Sequence, residues 1–233
     1  MISLANLSTD MHSISLTGEI DTALCVGAGG STGSLADKPI VRDASGKLLI
    51  PASQLKGRLR HECEKIARGL GWEVFESPNP RQMAPRNDDG SGQFAQVQDY
   101  AGYHCLISRI FGNPVLPSYL IVDDLICSLE KEQLPEVLRP GVSINRRRKT
   151  AEDQKLYLLE TSPAHAQLLF TGAIHLLPGC PTYTKPLILA GLHHIHALGG
   201  SKSAGLGWLT WKNLPLLNDG EFDWQWLLPG GTA

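Results

Sequence analysis

One amphipathic helix constrains this chain more than any other feature. Over residues 53–70, Leu55, Leu59, Cys63, Ile66 and Leu70 recur at steps of four, four, three and four, laying a single apolar stripe. Lys56, Arg60, Lys65 and Arg68 occupy the remaining surface. Ser53 stands where a cap belongs, just after Pro51, and Gly71 ends the segment. A helix with one apolar stripe has to bury it against a second layer. Residues 12–20 and 166–176 provide that layer as half-buried strands. In the first, Ile14, Leu16 and Ile20 alternate with Ser13, Ser15, Thr17 and Glu19; in the second, Leu168, Phe170, Ile174 and Leu176 share one face.

A second helix starts at Thr184 and Pro186, a cap-plus-proline signature, and runs to about Leu198. Glycine-rich loops follow the first strand (Gly27 to Ser34) and the second helix (residues 199–207). Residues 48–50 form a short strand before Pro51. Residues 76–100, rich in Pro, Asn, Asp, Gly and Gln, read as a long mobile loop within a flexible insertion spanning 76–104. Order resumes at 105–111, Gly112, Asn113 and Pro114 break the chain, and a strand covers 117–126. Residues 139–163 place two β-like arms around a charged tip, and a last strand lies at 208–211. The order is β–(Gly loop)–β–α–insertion–β–hairpin–β–α–(Gly loop)–β. It describes a single α+β domain over 1–233 with a split βαβ, ferredoxin-like βαββαβ core, helices on one face of an antiparallel sheet, and loop insertions.

With 42% hydrophobic and 19% charged residues, the chain has a packed core and is not disordered. Its net charge of -2, from 21 basic and 23 acidic residues, argues against a free-standing nucleic-acid binder but leaves room for a basic face. The five cysteines are odd in number, scattered and without a CxxC, so no disulfide framework is expected. The absence of a signal-peptide pattern and of 18 consecutive apolar residues points to a soluble, cytoplasmic protein.

Several motifs carry competing readings. Gly27, Gly29 and Gly33 imitate a dinucleotide fingerprint, and Gly29-Gly30-Ser31-Thr32-Gly33 imitates the nucleophile elbow of a serine hydrolase using Ser31. Both need a helix directly after the loop, and Pro39 followed by Ile40 and Val41 provides none. The second loop, with Gly200, Ser201, Lys202 and Ser203, is either a plain helix-to-strand connection or a phosphate cradle of exposed N–H groups. Arg146, Arg147, Arg148 and Lys149 are either a solvated hairpin tip or a grip on a polyphosphate backbone. His61, Cys63, His104 and Cys105 make a four-ligand set for a structural zinc, although His61 and Cys63 diverge on the helix and Cys63 belongs to the apolar stripe. His193 and His196, three apart on the second helix, lack a third ligand and read as surface or interface histidines. Asp43 belongs to a turn, Asp43-Ala44-Ser45-Gly46. Taken alone, Asp37 is a loop-capping residue before Pro39.

Four segments together resemble the repeat-associated mysterious protein (RAMP) superfamily, and most of all the backbone subunit repeated along type III-A and III-D CRISPR complexes. They are LADKPIVRDASGKLLIPASQLKGRLR at 35–60, RIFGNP at 109–114, GVSINRRRKTAEDQKLYLLETSP at 141–163, and the glycine loop GGSKSAGLGWL. The resemblance implies a modified RNA-recognition-like fold that polymerises along a guide RNA, with the 139–163 hairpin as a thumb that wedges into and kinks the guide–target duplex. Sequence would be read by base pairing, as in other RNA-guided effectors. Implied RNA contacts are Lys56, Arg58, Arg60, Arg146, Arg147, Arg148, Lys149, Gly200, Ser201, Lys202 and Ser203. Implied partners are guide RNA, complementary target RNA and neighbouring RAMP subunits, with no membrane. Asp37 falls where the family carries the carboxylate that cuts target RNA, and the resemblance therefore implies an endoribonuclease dependent on Mg2+ or Mn2+. RNA supplies its own nucleophile, the 2′-OH, so one carboxylate at a kink suffices. Asn145 departs from the Asp common at that thumb position. A non-catalytic structural RAMP subunit is the alternative.

Overall fold

In a computed structural model, residues 11–27, 36–83 and 95–215 are described. In chain order the elements are β1 (His12–Ile20), β2 (Leu49–Ile50), α1 (Ala52–Gly69), the single-turn α2 (Pro80–Met83), β3 (Ala95–Val97), β4 (Tyr100–His104) and α3 (Leu106–Phe111). There follow β5 (Leu120–Val122), β6 (Leu125–Cys127), β7 (Val137–Asn145), β8 (Thr150–Thr161), β9 (Leu168–Leu176), α4 (Thr184–His193) and β10 (Leu209–Trp211).

The alternating segments become the centre of the molecule. β1 and β9 pair antiparallel along their full lengths, His12 opposite Leu176 and Ile20 opposite Leu168. Around them a six-stranded sheet takes the order β10-β1-β9-β6-β2, with β5 also paired to β9, and every pairing is antiparallel. Ile14, Leu16, Ile20, Leu168, Phe170 and Ile174 are buried in one core with Leu55, Leu59 and Cys63 of α1 and Leu187, Ile188 and Leu192 of α4. Each such aliphatic side chain removed from water contributes about 1.5–3 kcal/mol. Ser13, Ser15 and Thr171 remain exposed. The two helices touch closely at Gly191, where an added Cβ would stand 2.7 Å from Cys63 Sγ and 2.9 Å from Leu59 Cδ1.

The structure corrects several boundaries. α1 begins at Ala52, and Ser53 does not cap it. The Ala52 N–H instead donates to Asp124 Oδ1 at 2.6 Å, a carboxylate from the β5–β6 turn that also suits the positive helix end. α4 stops at His193 because the next residues serve the sheet: Leu198 N–H donates to Gly207 O at 2.9 Å, and Ala197 bridges Trp208. The strand expected over 117–126 divides at Asp123-Asp124 into β5 and β6, both on β9. Residues 106–111 form a helix that six residues are too few to announce by periodicity.

The described residues of the insertion include regular structure. β3 and β4 form a hairpin, and Asn113 binds both of its flanks to the body. Its Nδ2 donates to Met83 O at 3.1 Å and lies 2.9 Å from His104 Nδ1, while its Oδ1 accepts the N–H groups of Val115 and Leu116. Residues 84–94 lie outside the described residues. The thumb, β7 with β8, is a two-stranded sheet of its own, with the Tyr157 ring covering Gly141 across the pair. Among the described residues no helix is long and apolar enough to cross a membrane.

Candidate nucleic-acid interface

Asp37 sits at the root of the thumb. The loop that carries it runs beside β8: Asp37 N–H donates to Leu158 O at 3.0 Å, and Glu160 N–H donates to Lys38 O at 3.2 Å. Leu158 N–H in turn donates to Asp37 Oδ2 at 2.7 Å. Asp37 is exposed, so this carboxylate is anchored through one oxygen while facing solvent. Six residues on, Asp43 plays the turn role expected of it. Its Oδ1 accepts Ser45 Oγ–H at 2.7 Å and the N–H groups of Ser45 and Lys47 at 2.8 and 2.9 Å. The Ser45 hydroxyl, with these N–H groups, holds the Asp43 carboxyl below the usual range.

The thumb tip exposes Arg146, Arg147, Arg148 and Lys149 together. Asn145 closes the turn beneath them: its Oδ1 accepts the N–H groups of Arg147 and Arg148 at 3.1 and 3.0 Å, and its main-chain carbonyl accepts Lys149 N–H at 2.8 Å. The two side-chain bonds use an oxygen that Asp also has, which accounts physically for Asn at this position. Leu138, Val142, Ile144, Leu156 and Tyr157 are exposed along the arms, so the thumb carries apolar surface below a cationic end.

A cleft of about 310 Å³ separates α1 from the C-terminal glycine loop. Ser53, Gln54, Gly57, Arg58 and His61 line one wall, and Ala197, Leu198, Gly199 and Lys202 the other. Gln54 Oε1 and Arg58 Nε are buried without a hydrogen-bond partner. The loop's shape depends on glycine: at Gly207 (φ +71°) a Cβ would collide with the Leu198 carbonyl, and at Gly199 (φ +93°) it would lie 2.7 Å from Cys25 O. Gly200 N–H is spent on Cys25 O at 2.6 Å, so the exposed polar side chains of the loop are those of Ser201, Lys202 and Ser203.

The structure therefore divides the three helix cations expected at RNA. Arg58 faces the cleft, with its Nη2 2.8 Å from Glu62. Lys56 and Arg60 do not face it. Lys56 Nζ donates to Ser118 Oγ at 2.8 Å and Leu120 O at 3.2 Å, and burial lowers its pKa. Arg60 donates from Nε to Glu64 at 2.9 Å and from Nη1 to Gly112 O at 2.8 Å, holding α1 to the Phe111-Gly112-Asn113 turn. Gln54 is the cleft residue that sequence reasoning missed. Its spacing to Arg58 and His61 marks one helix face, a signal available but unused.

The zinc set is not assembled. His61 is exposed on the cleft, whereas Cys63 is fully buried beneath α4, its thiol directed to Leu187 O and its pKa pushed up by burial. His104 is engaged by Ala101 O and Asn113, and Cys105 by Ser108 Oγ. Among the described residues no group of three or more His, Cys, Asp or Glu side chains is placed to hold a metal ion. His193 binds Pro215 O, and His196 lies beyond the end of α4. Ser31, Gly29 and Gly33 fall outside the described residues.

The described residues thus set helices over one sheet, a cationic hairpin tip and a cleft bracketed by glycines. Residues 17–210 match the RAMP superfamily, and the chain belongs to it. That span includes the Asp37 loop, the thumb and both walls of the cleft, and membership implies a CRISPR-associated RNA-binding subunit. No curated protein matches the chain.

Proposed function

We propose that this chain is the guide-RNA-binding backbone subunit of a type III CRISPR interference complex, of the kind repeated in III-A and III-D assemblies. In this reading it cuts complementary target RNA endonucleolytically through Asp37. The observation that carries it is the bond from Leu158 N–H to Asp37 Oδ2, which ties the carboxylate to the thumb. A thumb that splays the guide–target duplex exposes one phosphodiester, and Asp37 then stands at a fixed offset from it. The attacking group is the neighbouring 2′-OH: the second Asp37 oxygen accepts its proton, the 2′-oxygen bonds to phosphorus in line, and the P–O5′ bond breaks, the 5′-oxygen taking a proton from water and leaving a 2′,3′-cyclic phosphate. The guide backbone occupies the cleft between α1 and the glycine loop, with Arg58, Lys202 and Gln54 as its contacts.

The ferredoxin-like reading draws support from the sheet. Taking β1, β6, β9 and β10 as the first to fourth core strands, with α1 and α4 as the two crossovers, the order β10-β1-β9-β6 is 4-1-3-2. As for the divalent ion, Asp37 offers a single carboxylate, so Mg2+ or Mn2+ would have RNA phosphate oxygens as its other ligands. Partners follow from the reading: guide RNA, target RNA and neighbouring RAMP subunits, in the cytoplasm.

The same Leu158–Asp37 bond also suits a purely structural latch in a non-catalytic RAMP subunit. Asp37→Ala in the assembled complex separates the two. The cutting role predicts assembly on guide RNA and target binding as in wild type, with cleavage abolished at this subunit's site. Unchanged cleavage removes Asp37 from the mechanism.

A further inference from the structure

Glu160 is a buried carboxylate, 5% exposed, that the cutting chemistry does not use. Its Oε2 accepts Ile40 N–H at 3.1 Å, and its Oε1 accepts Arg42 Nη2 at 3.1 Å. It lies on β8 two residues beyond Leu158, the residue that holds Asp37. Residues 37–42 are thus fastened to the thumb at both ends: by Asp37 on Leu158, and by Ile40 and Arg42 on Glu160. Arg42 is committed further, its Nη1 donating to Gly46 O at 3.3 Å.

Ordinary strand pairing needs only main-chain bonds, and against β8 those of this segment are confined to Asp37 and Lys38, while Ile40 bridges Gly27 and Arg42 bridges Leu48 on its other side. Weakly specified pairings slip, and a slip of one residue turns every side chain to the opposite face. For Asp37 such a slip would carry the carboxylate away from the thumb. A buried charge pair has a defined geometry and is costly to break from one side, which opposes the slip.

We infer that Glu160 is a positioning residue that keeps Asp37 in register with the thumb, acting through Ile40 N–H and the Arg42 guanidinium. The inference rests on the proposed cutting role of Asp37. Misplacement of a reacting group by an ångström costs about 100-fold in rate. The expected loss on removing the latch is accordingly about 10- to 100-fold in single-turnover cleavage.

The test compares complexes assembled with wild-type, Glu160→Ala, Glu160→Gln and Asp37→Ala subunits, each saturated with complementary RNA. Positioning predicts wild-type guide assembly and target affinity for both Glu160 variants, with slow cleavage in Glu160→Ala. Glu160→Gln, which keeps an acceptor for Ile40, recovers part of the rate. If Glu160→Ala fails to assemble, Glu160→Gln alone must show slowed cleavage at unchanged target affinity. Wild-type rates in both variants overturn the inference while leaving Asp37→Ala inactive and the cutting role intact. Losses of cleavage that follow losses of binding, or failure of both variants to assemble, also overturn it, since they mark a folding role. An Asp37→Ala complex that still cuts overturns the cutting role and the inference with it.

Discussion

Arg58→Met tests whether the cleft-lining cation of α1 contacts RNA, as proposed, while Lys56 and Arg60 serve the fold. In the chain, Arg58 lines the cleft and its Nη2 pairs with Glu62 at 2.8 Å, while its Nε is buried without a partner. Met preserves the apolar stem and removes the charge. The Glu62 carboxylate keeps Lys65, whose Nζ lies 3.1 and 3.3 Å from its two oxygens. Glu62 is buried and loses one of its two cations, so stability should fall by about 1–3 kcal/mol. That corresponds to a melting shift of about 2–12 °C. A charge-assisted bond to a phosphate is worth about 1.5–3 kcal/mol, which weakens guide binding by roughly 10- to 150-fold. Fluorescence anisotropy with single-stranded guide RNA across a salt series reads both the affinity and the slope. The slope should flatten by about 0.7 for one lost phosphate contact. Lys56→Met and Arg60→Met should lower the melting temperature with RNA affinity unchanged. The reasoning is refuted if Arg58→Met binds RNA as wild type does, or if Lys56→Met weakens binding as much.

Asn145→Asp should preserve the thumb turn. Asn145→Ala, which strips two N–H groups of their acceptor, should speed amide exchange at Arg147 and Arg148 by roughly fivefold, about 1 kcal/mol of local stability. Gly191→Ala should destabilise the chain by about 1–3 kcal/mol in chemical denaturation, because the new methyl meets Cys63 Sγ and Leu59 Cδ1 at under 3 Å. The Asp43 carboxyl is held low in the folded state, so its contribution is present above the ordinary value of 3.8 and is lost as pH falls through the depressed one. Asp43→Asn should therefore lie below wild type in stability at neutral pH and converge with it in acid. Thiol labelling of the native chain should reach Cys180, the partly exposed cysteine, before Cys63.

The parts of this molecule that were legible in the sequence are those encoded locally. The alternation of β1 and β9 and the stripe of α1 are periodic because each buries one face, and periodicity survives without coordinates. Asp43 was legible because its three partners lie within four residues of it. What stayed hidden depends on distant chain. The cap of α1 comes from Asp124, 72 positions away. The division of the helix cations depends on distant docking: Arg60 meets Gly112, Lys56 meets Ser118 and Leu120, and Arg58 lines the cleft with the glycine loop. The objection to the zinc set was legible too, since Cys63 belongs to the stripe that buries it; the engagement of His104 by Asn113 was not. Asp37 was placed by resemblance alone, and its bond to Leu158 joins segments 121 residues apart that no local pattern connects.

The most direct test of the account follows the target strand itself. A 5′-labelled complementary RNA is offered to complexes assembled with wild-type or Asp37→Ala subunits, and the products are mapped by position and end chemistry. The account predicts that both complexes bind the RNA equally. The wild type should release a fragment ending in a 2′,3′-cyclic phosphate opposite the thumb, and the variant should return the RNA uncut. The same fragment from the Asp37→Ala complex, or a wild-type fragment ending in a free 3′-OH, would contradict it.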